Sequence, residues 1–136
     1  MNCDFLDAHE RHWEDAELLN EKERLANADH LYGMSAECGL KRLMICFGMS
    51  VGASGLPPDS DRKHADGIWD RFDAYRHGHP QGAGYALPTN NPFANWKAGQ
   101  RYAAREGFDK SLVLAHREGA EIVRHMVAKA RKEGLA

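Results

Sequence analysis

Three short stretches of this sequence carry residue types that could do chemistry. "SAECGLKRL" places Glu37 and Lys41 four residues apart inside a run of small and apolar residues. A glutamate four positions before a lysine is the order that supports a helix. Flanked by Ala36, Leu40 and Leu43, a carboxylate drawn out of water needs a donor, and Lys41 or Arg101 can supply it. The pair reads as half-buried and structural, with a ligand contact as the alternative. "NWKAGQRYA" gathers Trp96, Lys97, Gln100, Arg101 and Tyr102. Aromatic rings beside cations can stack a base and hold a phosphate. The alternative is that Trp96 and Tyr102 close the open end of a bundle. Among eight histidines, "HERH" (His9, His12) and "HGH" (His77, His79) have short spacings. The first is one residue too short for H-E-x-x-H, and neither has a set of Cys or acidic partners nearby. No metal ligands are assigned and no cofactor is expected. His116 lies on an apolar stripe and reads as a satisfied core histidine.

These residues need elements to position them, and the periodicity of apolar residues supplies four helices. Asp4 to Glu23 is amphipathic, with Phe5, Ala8, Ala16 and Leu19 on one side and Asp4 as a candidate cap. About Glu23 to Met49 forms a second, longer helix with a broad stripe rich in small residues. Its central Gly39 costs about 1 kcal/mol relative to alanine, which close packing of a neighbouring helix would offset. "GMSVGASGLPPDSD" stops that helix. Asp59, Ser60 and Asp61 are candidate caps for a third helix bearing Ala65, Ile68, Trp69, Phe72 and Tyr75. Gly78 to Pro92 is irregular and of a length that is often functional or mobile. A short helix follows, with Asn95 as a candidate cap, and the last helix runs from about Asp109 to Lys132. No segment alternates with period two. The expectation is an all-α, up-and-down bundle of four long helices and a short one.

The chain has 136 residues and is read as a single domain spanning 1–136. Its formal net charge of −2 is unlike the basic footprint of a dedicated duplex-DNA binder, though it leaves room for a local basic patch. Cys38 and Cys46 fall roughly 12 Å apart along one helix and cannot bond to each other. With Cys3 they make an odd number, as in a reducing compartment. "MNCDFLDAHERHWEDAELL" lacks the basic and then apolar segments of a signal peptide. No run approaches the ~20 apolar residues of a membrane span. A soluble, cytoplasmic protein without membrane contact is expected.

"YGMSAECGLKRLM" resembles the A-A-E-x-x-L-K-x-L pattern in the second helix of HEPN (higher eukaryotes and prokaryotes nucleotide-binding) domains, through Ser35, Ala36, Glu37, Leu40, Lys41 and Leu43. The order of elements is similar too. The resemblance implies a HEPN-like helical bundle, commonly a homodimer, that binds RNA or nucleotide or a protein partner such as an antitoxin. Such modules belong to toxin–antitoxin or defence systems, and many members are metal-independent ribonucleases. The ligand-binding candidates it leaves are Glu37, Lys41, Trp96, Arg101 and Tyr102. Catalytic members carry an Arg, four to six residues, then a His. "RFDAYRH" fits, with Arg71 and His77. A histidine can take the 2′-hydroxyl proton, and an arginine fork can hold the phosphorane. The sequence departs from the catalytic pattern at Phe72, where a polar residue is usual. Positions six apart on a continuous helix also point about 120° away from each other. The alternative reading is a helix C-terminus decorated with cations.

Overall fold

In the computed structural model, which describes residues 1–136, four α-helices follow one another: α1 (Phe5–Glu21), α2 (Leu25–Cys46), α3 (Ala65–His77) and α4 (Lys110–Lys132). Short 3-10 turns occupy Asp59–Asp61, Gly82–Tyr85, Ala98–Tyr102 and Arg105–Gly107, and there is no strand. The chain is an all-α bundle. Local chemistry sets two of the helix starts. The Asp4 carboxylate accepts from the Asp7 N–H at 3.0 Å, and the Asp109 carboxylate accepts from the Leu112 N–H at 2.8 Å. Lys129, Arg131 and Lys132 in the last turn of α4 complement its dipole.

The bundle is built around α2, onto which α1, α3 and α4 each pack. Thirteen of its 22 residues are buried, so it is wrapped on most sides rather than along one stripe. Its glycines make that approach possible. A Cβ on Gly39 would lie 2.6 Å from Val123 Cγ1 and 2.7 Å from His9 Nδ1, where α4 and α1 both close on α2. At Gly33 a Cβ would overlap the Trp96 indole, 2.1 Å from its nearest atom. Close packing is therefore what the small-residue stripe serves. His9 and Ser35 tie α1 to α2. The Ser35 hydroxyl donates to the His9 carbonyl at 2.8 Å, and His9 Nδ1–H donates to the Ser35 carbonyl at 2.8 Å.

Two expected caps are corrected. Asp59, Ser60 and Asp61 do not cap α3, which begins after His64 without a side-chain cap. Asp61 is instead fully buried and receives hydrogen bonds from Arg71 Nε at 2.7 Å and from the Tyr75 hydroxyl. Asn95 caps nothing: its side-chain oxygen meets His116 Nε2 at 2.8 Å. The short helix is a 3-10 turn, preceded by Lys97. Residues 78–92 are mostly exposed and are anchored at a few points. Tyr85 is buried and its hydroxyl donates to Glu133 Oε2 at 2.6 Å, while Trp69 Nε1 donates to the Pro88 carbonyl at 3.2 Å.

Candidate functional site

Helix α3 is continuous from Ala65 to His77, so Arg71 and His77 leave it in different directions. Arg71 is bound to Asp61, with its guanidinium 5.3 Å from the Tyr75 ring centre. Burial works against the Asp61 carboxylate, but the hydrogen bonds from Tyr75 and Arg71 outweigh it and lower its pKa. His77 is exposed and lies 3.9 Å from Asp73. Within one chain the two residues are not brought together. Of the other candidates, Trp96 is fully buried and its Nε1 donates to the Asp29 carbonyl at 3.1 Å. Tyr102, by contrast, is 81% exposed, and the Arg101 guanidinium lies 5.1 Å from its ring centre.

Glu37 and Lys41 are more deeply placed than half-buried. Their side chains are 7% and 8% exposed and meet at 2.7 Å. A buried ion pair gives back in attraction roughly what it loses in hydration, so further hydrogen bonds decide whether it is tolerated. The second carboxylate oxygen has one: His64 Nδ1–H donates to Glu37 Oε2 at 3.3 Å. His64 is the residue just before α3, and its ring is 55% exposed. Phe5 covers Lys41, with Nζ 5.8 Å from the ring centre. Seven residues before Glu37, His30 stacks on Trp96 with ring centres 5.6 Å apart. Its Nδ1 is buried without a partner. Burial and then the charge of Arg101 lower the His30 pKa. His12 from α1 is also neutral near pH 7, its pKa lowered first by burial and then by Arg11.

Beside Arg101 the surface opens into a cleft of about 360 Å³. Arg24 enters it from the turn between α1 and α2, Arg101 from the Ala98–Tyr102 turn and Arg105 from the turn after it. None of the three is paired with a carboxylate; the one acidic side chain on the wall, Glu23, is held by Lys110 at 2.9 Å. Leu25, Ala26 and Asn27, the first residues of α2, form another wall. No side chain caps this helix start, and the cap position is Arg24, a cation at the positive end of the dipole. Three arginines thus line one cleft on a chain of net negative charge.

The cleft is held in shape from below. Gln100 Nε2 donates to Asp29 Oδ2 at 2.6 Å, and Asp29 Oδ1 accepts from His116 Nδ1–H at 2.6 Å. Asp29 and His116 are both fully buried, as a satisfied core histidine requires. Arg24, Arg105, His64 and Asp29 escaped the sequence reading. Arg24 sits in the charged run "NEKER" and Arg105 in an aperiodic segment, where a single arginine carries no local signal. Comparison with protein-family models, with curated proteins and with solved structures found no match to this chain. No helix is long and apolar enough to cross a membrane.

Proposed function

We propose that this chain is a HEPN-like helical module of the toxin–antitoxin or defence type that binds the phosphates of RNA or of a nucleotide. The observation that carries the reading is the cleft lined by Arg24, Arg101 and Arg105, none paired with a carboxylate, whose one acidic wall residue, Glu23, is held by Lys110. Planar guanidinium forks match phosphate oxygens in pairs of charge-assisted hydrogen bonds. The free N–H groups at an uncapped helix start favour the same ligand charge. A volume of about 360 Å³ lies in the range that accepts a small ligand rather than a lone ion. The exposed Tyr102 ring beside Arg101 offers a base a stacking surface next to the phosphate. Glu37–Lys41, the pair on which the family resemblance rests, lies in the middle of α2 and supports the same lineage.

The test is fluorescence anisotropy with a labelled single-stranded RNA and with a labelled nucleotide, for wild type and the Arg24→Ala/Arg105→Ala double variant. Both arginines are exposed, so the variant should fold normally by circular dichroism. Binding should weaken at least about tenfold. For RNA the slope of log affinity against log salt should shrink by about 0.7 for each phosphate that is no longer neutralised. Equal affinities for the two proteins, or no binding by the wild type, would remove the reading.

A further inference from the structure

Glu23 stands where local chemistry disfavours it. It follows the C-terminal cap of α1 and is the one non-glycine residue with positive φ, at 58°. The turn is closed by two backbone hydrogen bonds, from Glu23 N–H to the Asn20 carbonyl at 3.0 Å and from Arg24 N–H to the Leu19 carbonyl at 2.8 Å. Glycine serves this helix ending best, because a Cβ strains left-handed backbone. Lys110, the partner of Glu23, is disfavoured too. It is the first residue of α4, a cation at the positive end of the helix dipole. Glu23 and Lys110 meet at 2.9 Å, with side chains 70% and 77% exposed. A pair so open to water adds little to stability. Two residues that each oppose their local structure, joined by a contact that adds little to the fold, point to a use for the carboxylate itself.

Glu23 belongs to the arginine cleft. It lines the wall together with Arg24, Arg101 and Arg105, yet bridges none of them. Glu23 and Leu25 also line a second hollow of about 360 Å³, which holds Lys110, so the two hollows adjoin at this rim. Lys110 takes Oε1 and leaves Oε2 without a partner. Hydrogen bonding from Lys110, and then its charge, lower the Glu23 pKa, so the carboxylate is ionised near pH 7. An ionised carboxylate can only accept hydrogen bonds. It repels a phosphate, against the effect of the three arginines. Its use must therefore lie with a donor on the same ligand, close to the phosphate. On a ribonucleotide that donor is a ribose hydroxyl. Within an RNA strand the 3′-oxygen is esterified, so the 2′-hydroxyl is the donor common to a strand and to a free nucleotide.

We propose that Glu23, held by Lys110, reads the ribose 2′-hydroxyl of the ligand whose phosphate the arginine cleft binds, and so makes the site selective for ribose over deoxyribose. The hydroxyl donates to Glu23 Oε2 while the guanidiniums take the phosphate oxygens. Acidic side chains select a sugar in this way in dinucleotide sites, and a hydroxyl-to-carboxylate hydrogen bond is charge-assisted. Glu23 is the specificity residue and Lys110 a positioning residue. The assignment rests on the phosphate-binding reading of the same cleft.

The experiment uses fluorescence anisotropy on the full chain. It compares a labelled single-stranded RNA with its 2′-deoxy counterpart, and a labelled ribonucleotide with its 2′-deoxy form. The wild type should prefer the ribose form by about tenfold, the worth of one hydrogen bond to a charged group. A preference confined to the strand or to the nucleotide names which of the two is the ligand. Glu23→Gly suits the left-handed turn, so this variant should fold and melt at a higher temperature, yet its preference should vanish. Lys110→Met should narrow the preference, which a purely structural tie would leave unchanged. Equal affinity of the wild type for both sugars would overturn the assignment and leave the phosphate-binding reading standing. No binding of any probe would remove both. A preference kept in Glu23→Gly, with an equal gain for both sugars, would show the carboxylate to be a countercharge only and would sink the assignment. A full preference in Lys110→Met would end the positioning role of Lys110.

Discussion

Two buried polar clusters lie on α2, about two turns apart, and they end differently. Around Asp29 the charged and titratable groups, Asp29 and His116, are fully buried and hydrogen-bonded. Its carboxylate meets His116 and Gln100, its carbonyl meets Trp96, and His116 passes on to Asn95. These contacts join α2, α4 and the 93–102 segment, and only their outer members, Asn95 and Gln100, reach the surface. Around Glu37 the chain of contacts runs outward, from buried Lys41 through the carboxylate to a half-exposed His64. The first cluster keeps its titratable ring, His116, inside the fold and fixes geometry. An open one keeps a titratable ring at the surface while its orientation is set from inside. The difference teaches that burial of a charge is by itself no sign of function.

The sharpest way to break the comparison is to remove one partner from each cluster. Asp29→Ala leaves His116 and Gln100 without their acceptor and should cost about 3–5 kcal/mol in urea denaturation. Lys41→Met should cost less, because His64 still reaches Glu37. The paired replacement Glu37→Leu/Lys41→Met should regain most of the stability. A larger loss in Lys41→Met than in Asp29→Ala would reverse the assignment of closed and open clusters.

Next in size is packing near the closed cluster. Gly33→Ala drives a methyl into the Trp96 indole, whose nitrogen is tied to Asp29. Overpacking of this kind costs about 1–3 kcal/mol, against a gain in helix propensity of about 1 kcal/mol. A net loss of stability is expected, with a shift of the Trp96 environment in near-ultraviolet circular dichroism. A stabilised variant would show that the indole can move.

The smallest effect is a slope. Burial lowers the pKa of His9, held between α1 and α2, and burial lowers those of His12 and His30. Each group binds its proton more readily in the unfolded chain, where the value is near 6.5. Their contribution is fully present above that value and is lost as pH falls through the lower folded values. Stability should decline from pH 7 toward pH 5. Replacing His9 by Gln should make that decline shallower, by at most about 1.4 kcal/mol per pH unit. An unchanged slope would show that His9 keeps its ordinary value in the fold.

Much of the bundle was legible because its causes are local. The 3.6-residue period of apolar side chains outlines α1, α2, α3 and α4, and Asp4 caps the first of them as its position suggested. Asp61 misled for the same reason. It has the composition and place of a cap, yet its carboxylate is claimed by Arg71 ten residues on and by Tyr75 fourteen residues on. Of the candidate site, Arg101, Tyr102 and the Glu37–Lys41 pair were visible as residue types at suggestive spacings. Arg24, Arg105 and His64 were not, because each gains its meaning from a neighbour distant in the chain.

The sequence by itself determined the helices, the cap of the first at Asp4 and the small-residue face on which others could close. Those follow from interactions a few residues long. Only the tertiary structure decided that Asp29 would meet His116, 87 residues away, that Trp96 would fill the space left by Gly33, and that three scattered arginines would share one cleft. Apolar periodicity says which face of a helix is buried, but not which partner covers it. That choice is made by packing and by the free energy gained when buried polar groups find an acceptor or a donor.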